Sequence, residues 1–108
     1  MSAGHRSVRA VDAAQVRDAL CEVIDPEFGI NIVDLGLIYG VSVSGQRIRV
    51  QMTMATPGSP MSGMIADEVE MAISHRFPRY RIHVDLVATP RWQVDMMSPI
   101  ARLELGVA

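Results

Sequence analysis

The sequence predicts a small α/β domain, an α+β two-layer arrangement with element order α-β-β-α-β-α and a small mixed three-stranded sheet packed by helices. Three observations predict it. Two stretches carry apolar residues at 3- and 4-residue steps between start and stop signals, as amphipathic helices do. Three stretches alternate apolar and polar side chains, as strands with one wet face do. The second and third of these flank a helix, and such a β-α-β unit is parallel and right-handed when both strands share one sheet.

The elements follow in order. Asp12 can cap the first helix, with Gln15 at the capping-box spacing and Val11 and Val16 placed for a hydrophobic staple. Val16, Ala19, Leu20, Val23 and Ile24 form its apolar stripe. Pro26 ends it, because the residue before a proline is pushed out of the helical region. Residues 25–36, DPEFGINIVDLG, read as a loop that mixes acidic and apolar side chains. In the first strand Leu37, Tyr39, Val41 and Val43 share a face. In the second, Ile48, Val50, Met52 and Met54 alternate with Arg47, Arg49, Gln51 and Thr53. Ser44-Gly45-Gln46 is a short hairpin turn between them.

Ser59 reads as the N-cap of the second helix and Pro60 as its first residue. Met61, Ile65, Val69, Ala72 and Ile73 form that helix's apolar face, and Pro78 stops it. Tyr80, Ile82, Val84 and Leu86 alternate as the third strand, and residues 88–97, ATPRWQVDMM, form another loop. Ser98-Pro99 repeats the cap signal, and Gly106 closes a short last helix. Residues 1–10 read as a flexible N-terminal segment and 11–108 as a single domain.

Composition excludes several classes. Of the 108 residues, 49% are apolar and 20% charged, which suits a folded domain with one core. A net charge of −2 gives no global claim on nucleic acid or an anionic membrane. All 10 cationic side chains are Arg, a pattern that genomic base composition explains and that also supplies forked donors for carboxylates. Cys21 is alone, so no internal disulfide forms; bordering the apolar stripe, it reads as a small packing residue. No apolar run of about 18 residues is present to span a membrane. Residues 1–10 lack the apolar stretch of a secretory signal, so the cytoplasm is the expected location.

With the third strand parallel to the second, loop 25–36, segment 55–60 and loop 88–97 lie at one end of the sheet, beside the start of the second helix. Ligand sites of α/β folds favour that end. It would gather Asp25, Glu27, Asp34, Thr56, Ser59, Trp92 and Asp95. The carboxylates could hold a hard metal through oxygen. The preferred expectation is no metal site, with Asp25 and Asp34 tying loop backbone down. Met96 and Met97 beside Trp92 suit either core packing or an adaptable docking surface. Arg49, Gln51, Arg81, His83 and Asp85 share the wet face of the sheet, which reads as solvated but open to a second copy or an acidic partner. No aromatic residues interleave with these arginines, which weakens a single-strand nucleic-acid reading.

Two stretches, VIDPEFGINIVDLGLIYGVSV (residues 23–43) and MTMATPGSP (residues 52–60), resemble the metal–sulfur cluster assembly family, and residues 92–106 do so more weakly. That family includes SufT-like maturation factors and the D subunit of the phenylacetate-degradation system. The resemblance implies a compact α/β domain acting in iron–sulfur protein maturation through contact with iron–sulfur carrier or target proteins. In the family the second motif typically carries a cysteine, the residue held to matter for cluster handling. Thr56, Pro57, Gly58 and Pro60 match, and Ser59 stands where the thiol would be. Either a divergent gene encodes serine, or a Cys→Ser change has been introduced.

A cysteine at a helix N-terminus is acidified into the thiolate that ligates iron. Serine keeps the cap and loses the soft ligand. A transient cluster therefore suits cysteine-bearing relatives, and no resident cofactor is expected here. As a nucleophile Ser59 would need a base. His5, His75 and His83 are all badly placed, so a stand-alone hydrolase is the weakest reading. The leading reading is a non-catalytic accessory factor, in the form of a homodimer or a monomer, without nucleic acid or membrane. The alternative is a non-catalytic subunit of a multicomponent oxygenase-type enzyme.

Overall fold

The structure, a computed structural model, describes residues 11–107; the expected flexible segment 1–10 lies outside them. The first helix, α1 (Ala13–Leu20), carries the expected capping box. Gln15 N–H donates to Asp12 Oδ1 at 2.8 Å, and Asp12 N–H donates to Gln15 Oε1 at 2.9 Å. Val16, Ala19 and Leu20 face the core.

Helix α1 stops well before Pro26. Cys21 is its C-cap, and the N–H groups of Glu22 and Val23 fold back to the Ala19 and Leu20 carbonyls. The cause lies in loop 25–36, which is not wholly irregular. Its ends pair as a short antiparallel ribbon, β1 (Ile24–Asp25) with β2 (Ile30–Asn31), and Ile32 N–H continues it to the Val23 carbonyl at 3.0 Å. Ile24 is therefore drawn off the helical stripe and is 48% exposed. Cys21 is exposed as well, so the packing role expected for it is not found.

The main sheet has the order β3-β4-β5: β3 (Ile38–Ser44) runs antiparallel to β4 (Arg47–Met52), which runs parallel to β5 (Arg81–Leu86). The mixed sheet and β-α-β unit are as expected. The face of β3 is not. A register shift between Ile38 and Gly40 reverses the alternation, so Ile38 pairs with Met52 while Val41 and Val43 pair with Val50 and Ile48. Tyr39 leaves the apolar face, and its hydroxyl donates to the Pro90 carbonyl at 2.7 Å. Leu37 and Ile38 are both buried as a result. Strand β4 ends at Met52, which leaves Met54 half-buried beyond it.

Helix α2 (Ser62–Arg76) starts two residues later than the Ser59-Pro60 signal implies, with Met61 as its N-cap. Ser59 caps a preceding turn instead. Helix α2 buries Ile65, Val69 and Ile73 and packs on β5 and α1. Its last turn is tied to α1 by Arg76, which forks to Asp18 at 2.8 Å and Glu22 at 2.6 Å. Phe77, before Pro78, leaves the helical region as expected. Helix α3 (Pro99–Leu105) has the expected Ser98 cap and left-handed Gly106. Ile48, Val50 and Met52 are fully buried, while Arg47, Arg49 and Gln51 between them face outward. Leu86 departs from the expected apolar face: at the end of β5 it is 45% exposed. Among the described residues no helix is long and apolar enough to cross a membrane.

Candidate functional site

The three loops expected at one end of the sheet do meet there. In the first, the buried Asp25 carboxylate accepts the N–H groups of Glu27 at 2.8 Å and Phe28 at 3.2 Å, while Gly29 N–H donates to its carbonyl at 2.8 Å. The DPEFG stretch is thus a turn built around its own aspartate, which holds Glu27 outward. Asn31 builds the next turn. Its Oδ1 accepts the N–H groups of Val33 and Asp34, and its Nδ2 donates to Asp34 Oδ2 at 2.8 Å. Asp34 therefore steadies an asparagine side chain rather than backbone directly. Its own carbonyl accepts Ser98 N–H at 2.7 Å, which ties this loop to the start of α3.

Segment 55–60 joins through Thr56, whose hydroxyl donates to Glu27 Oε1 at 3.2 Å. Ser59 is buried, 7% exposed, and its Oγ accepts Met61 N–H at 3.2 Å. Its N–H and carbonyl are also used, toward the Thr56 carbonyl and Ser62 N–H. This local bonding makes Ser59 the pivot between Gly58, at φ 70°, and α2.

Loop 88–97 contains a 3-10 turn, Val94–Met96. Trp92 Nε1–H donates to the Leu35 carbonyl at 2.7 Å, and its ring lies 6.1 Å from that of Phe28. Met97 packs into the core, with Met96 half-buried beside Tyr39.

Between the loops is an open cleft of about 510 Å³, lined by Met54, Gly58, Ser59, Leu86, Arg91 and Trp92 among others. Of the expected site residues, Gly58, Ser59 and Trp92 line it, while Thr56 and Glu27 are joined to each other outside the lining. Asp25 lies beneath them, committed to its turn. Asp95 sits exposed in the 3-10 turn and does not line the cleft. Asn31, Met54, Leu86 and Arg91 were missed as site residues by sequence reasoning. Asn31 had a usable signal, an asparagine three residues before an aspartate in a loop; Arg91 had only its place beside Trp92.

The cleft is chemically plain. Among the described residues the histidines, His75 and His83, are exposed and do not line it, so neither is placed as a base for Ser59. Among the described residues no group of three His, Cys, Asp or Glu is placed to hold a metal ion. Cys21 does not line the cleft, and partial desolvation, reinforced by Asp34 and Asp18, pushes its thiol above the usual value. Apolar walls, one guanidinium and the buried hydroxyls of Thr53 and Ser59 suit binding better than acid–base chemistry.

A small mixed sheet whose open end carries three interlocked loops round an apolar cleft defines a small α/β domain of mixed-sheet type. Residues 13–84 match the family described as iron-sulfur cluster assembly protein, and the chain belongs to that family. It is 41% identical over 87 residues to the Fe-S protein maturation auxiliary factor SufT of Staphylococcus aureus, covering 80% of this chain and 99% of that one. A Fe-S protein maturation auxiliary factor of Porphyromonas gingivalis is 40% identical over 85 residues, covering 78% of this chain and 81% of the relative. A Bacillus anthracis crystal structure, described as a domain of unknown function, superposes with TM-score 0.83 at 36% identity, covering 88% and 92% of the two chains.

Proposed function

We propose that this chain is an accessory factor in iron–sulfur protein maturation, working in the cytoplasm by contact with iron–sulfur carrier or target proteins and catalysing no reaction alone. The observation that carries the reading is the loop cleft itself, in a chain of this family. Glu27–Thr56 and Trp92–Leu35 hold three separate loops in one surface, and the surface offers apolar area rather than a catalytic pair. The cluster is cargo in this reading. Ser59 occupies the position at which the resemblance places a thiol. An aliphatic hydroxyl does not ionise usefully near neutral pH, so it is a poor substitute for the thiolate that clusters use. The chain accordingly serves as a scaffold or regulator.

The test has two arms. In the first, tagged full-length chain is recovered from its native host without oxygen, and co-purifying proteins are scored for iron and sulfide. Recovery of iron–sulfur carriers or targets, lost with Trp92→Ala, is expected; recovery of none refutes the role. In the second, the chain and its Ser59→Cys variant are reconstituted with iron and sulfide and read by absorbance and metal analysis. Cluster on the cysteine variant alone is expected. Equal loading of both refutes the assignment of the ligand position.

A further inference from the structure

The second surface of note lies at the other end of the sheet. Strand β4 is the middle strand, and its exposed side chains line up with those of both neighbours. Arg47 stands beside Ser44 of β3 and Arg81 of β5; Arg49 stands beside Ser42 and His83. The intervening Ile48 and Val50 are fully buried, so the arginines project from the face that the helices leave open. The hairpin end of this face is hollow, about 670 Å³, with these six polar residues among its lining.

The charges here are one-sided. Arg47, Arg49 and Arg81 face the single carboxylate of Asp85, which leaves +2 on this face of a chain whose net charge is −2. Asp85 is already shared: it accepts Arg49 Nε–H at 2.6 Å and contacts His83 Nε2 at 2.7 Å. Among the described residues Arg47 and Arg81 make no ion pair, although they are direct cross-strand neighbours. Like charges opposite each other destabilise a sheet. The fold gains nothing from this juxtaposition, and an anion seated between the two would relieve it.

We propose that this face is a docking site for an acidic, extended segment of a partner protein, with one carboxylate seated between Arg47 and Arg81 and the next alternate one on Arg49. The spacing carries the choice of ligand. Alternate residues of a strand lie about 6.8 Å apart, and alternate side chains of an extended peptide repeat at the same distance. Guanidinium forks suit carboxylates geometrically. Other occupants fit less well. The lining has no Phe, Tyr or Trp on which successive bases would stack. An isolated small anion would find an open hollow with no helix N-terminus aimed into it. A second copy of this chain offers its own acidic run, Asp67, Glu68 and Glu70, only within α2, not as an extended segment. The site is remote from the loop cleft and does not depend on the maturation role.

The test uses full-length chain and a fluorescent Asp-Ser-Asp-Ser-Asp-Ser peptide, read by anisotropy at low and high salt. Binding that weakens with salt is expected, with at least about a tenfold loss in the Arg47→Gln/Arg81→Gln double variant and none in Trp92→Ala. The double variant relieves repulsion, so its melting temperature should be unchanged or raised. An Asn-Ser peptide that binds equally overturns the proposal, as does undiminished binding by the double variant. So does tighter binding of an oligothymidylate of similar length. Amide shift mapping on the unmodified chain is the independent check. Peptide-induced shifts should centre on residues 42–49 and 81–85, and shifts centred on the loop cleft overturn the assignment.

Discussion

Gly36 is the tightest point of the loop site, and a single added carbon there tests the whole arrangement. Its φ is 81°, and a Cβ would lie 2.7 Å from the Met96 carbonyl carbon and deep within contact distance of the oxygen. Gly36→Ala therefore meets three costs. A left-handed conformation costs an L residue about 1–2 kcal/mol. Backbone forced apart by an extra methyl costs about 1–3 kcal/mol. Moving loop 88–97 away also weakens the Trp92–Leu35 and Ser98–Asp34 hydrogen bonds, each worth about 1 kcal/mol. Allowing for partial relaxation, the expected loss is about 3–5 kcal/mol. Gly45→Ala is the control: it has φ 58° and open space where the Cβ would go, so only the conformational cost of about 1–2 kcal/mol applies. Urea unfolding followed by far-UV circular dichroism gives both values. Trp92, the sole tryptophan, reports the site directly, and its native emission should shift to the red in Gly36→Ala alone. If Gly36→Ala costs no more than Gly45→Ala, the close approach of the two loops is wrong.

Asp25→Ala should destabilise by about 2–4 kcal/mol, since it strips a charged acceptor from two backbone N–H groups; Asp25→Asn, which keeps an acceptor, should cost less than half of that in the same urea assay. Equal costs would show that the carboxylate is not the acceptor that matters. The Cys21 thiol, held above its usual value by desolvation first and by Asp34 and Asp18 next, should react with iodoacetamide at neutral pH more slowly in the folded chain than in urea. Asp85 is held below its usual 3.8 chiefly by the hydrogen bond from Arg49, with His83 adding to it and partial burial opposing. A depressed carboxyl stabilises the fold above the ordinary value and stops doing so as pH falls through the lowered one. Urea midpoints of the chain and of Asp85→Asn should differ at pH 6 and converge in strong acid; a constant gap would assign the difference to something other than this ionisation.

Much of the fold was legible because its signals are local. Asp12 with Gln15, Ser98 with Pro99, and Phe77 before Pro78 are each settled by short-range bonding or sterics, and each behaves as read. The alternation over Ile48, Val50 and Met52 survives because β4 is flanked on both sides and cannot slip without exposing its apolar row. Two misreadings share one origin: a pairing outside the local period outweighed it. Ile24 kept its helical spacing, yet residues 24–25 pair with 30–31 across the Asp25 turn. Tyr39 kept its strand spacing, yet the shift beside Gly40 turned it toward Pro90. For the candidate site, topology alone placed the three loops together, since it needed only strand direction. Which side chains reach the cleft was not legible. That depends on turns fixed by Asp25 and Asn31, and Asp95 falls outside it although Arg91 and Trp92 of the same loop line it.

Ser59 separates two duties that a cysteine at this position would combine. One is structural: its Oγ accepts Met61 N–H, and its backbone closes the turn on either side. The other is ligation, which needs a thiolate. Serine performs the first fully, and nothing in the turn geometry requires sulfur. The loops around it are likewise held by oxygen and nitrogen, through Asp25, Asn31, Thr56 and Trp92. The docking surface therefore stands whether or not a ligand is present at its centre. Because Ser59 is buried and the α2 helix begins only at Ser62, a thiol restored there would sit shielded at the floor of the cleft, just ahead of the helix, where its acidity would depend on the free N–H groups of the first turn. In the proposed reading, a chain with Ser59 would occupy a partner's cluster-handling surface without taking the cluster, which is the physical argument for a scaffold or regulator.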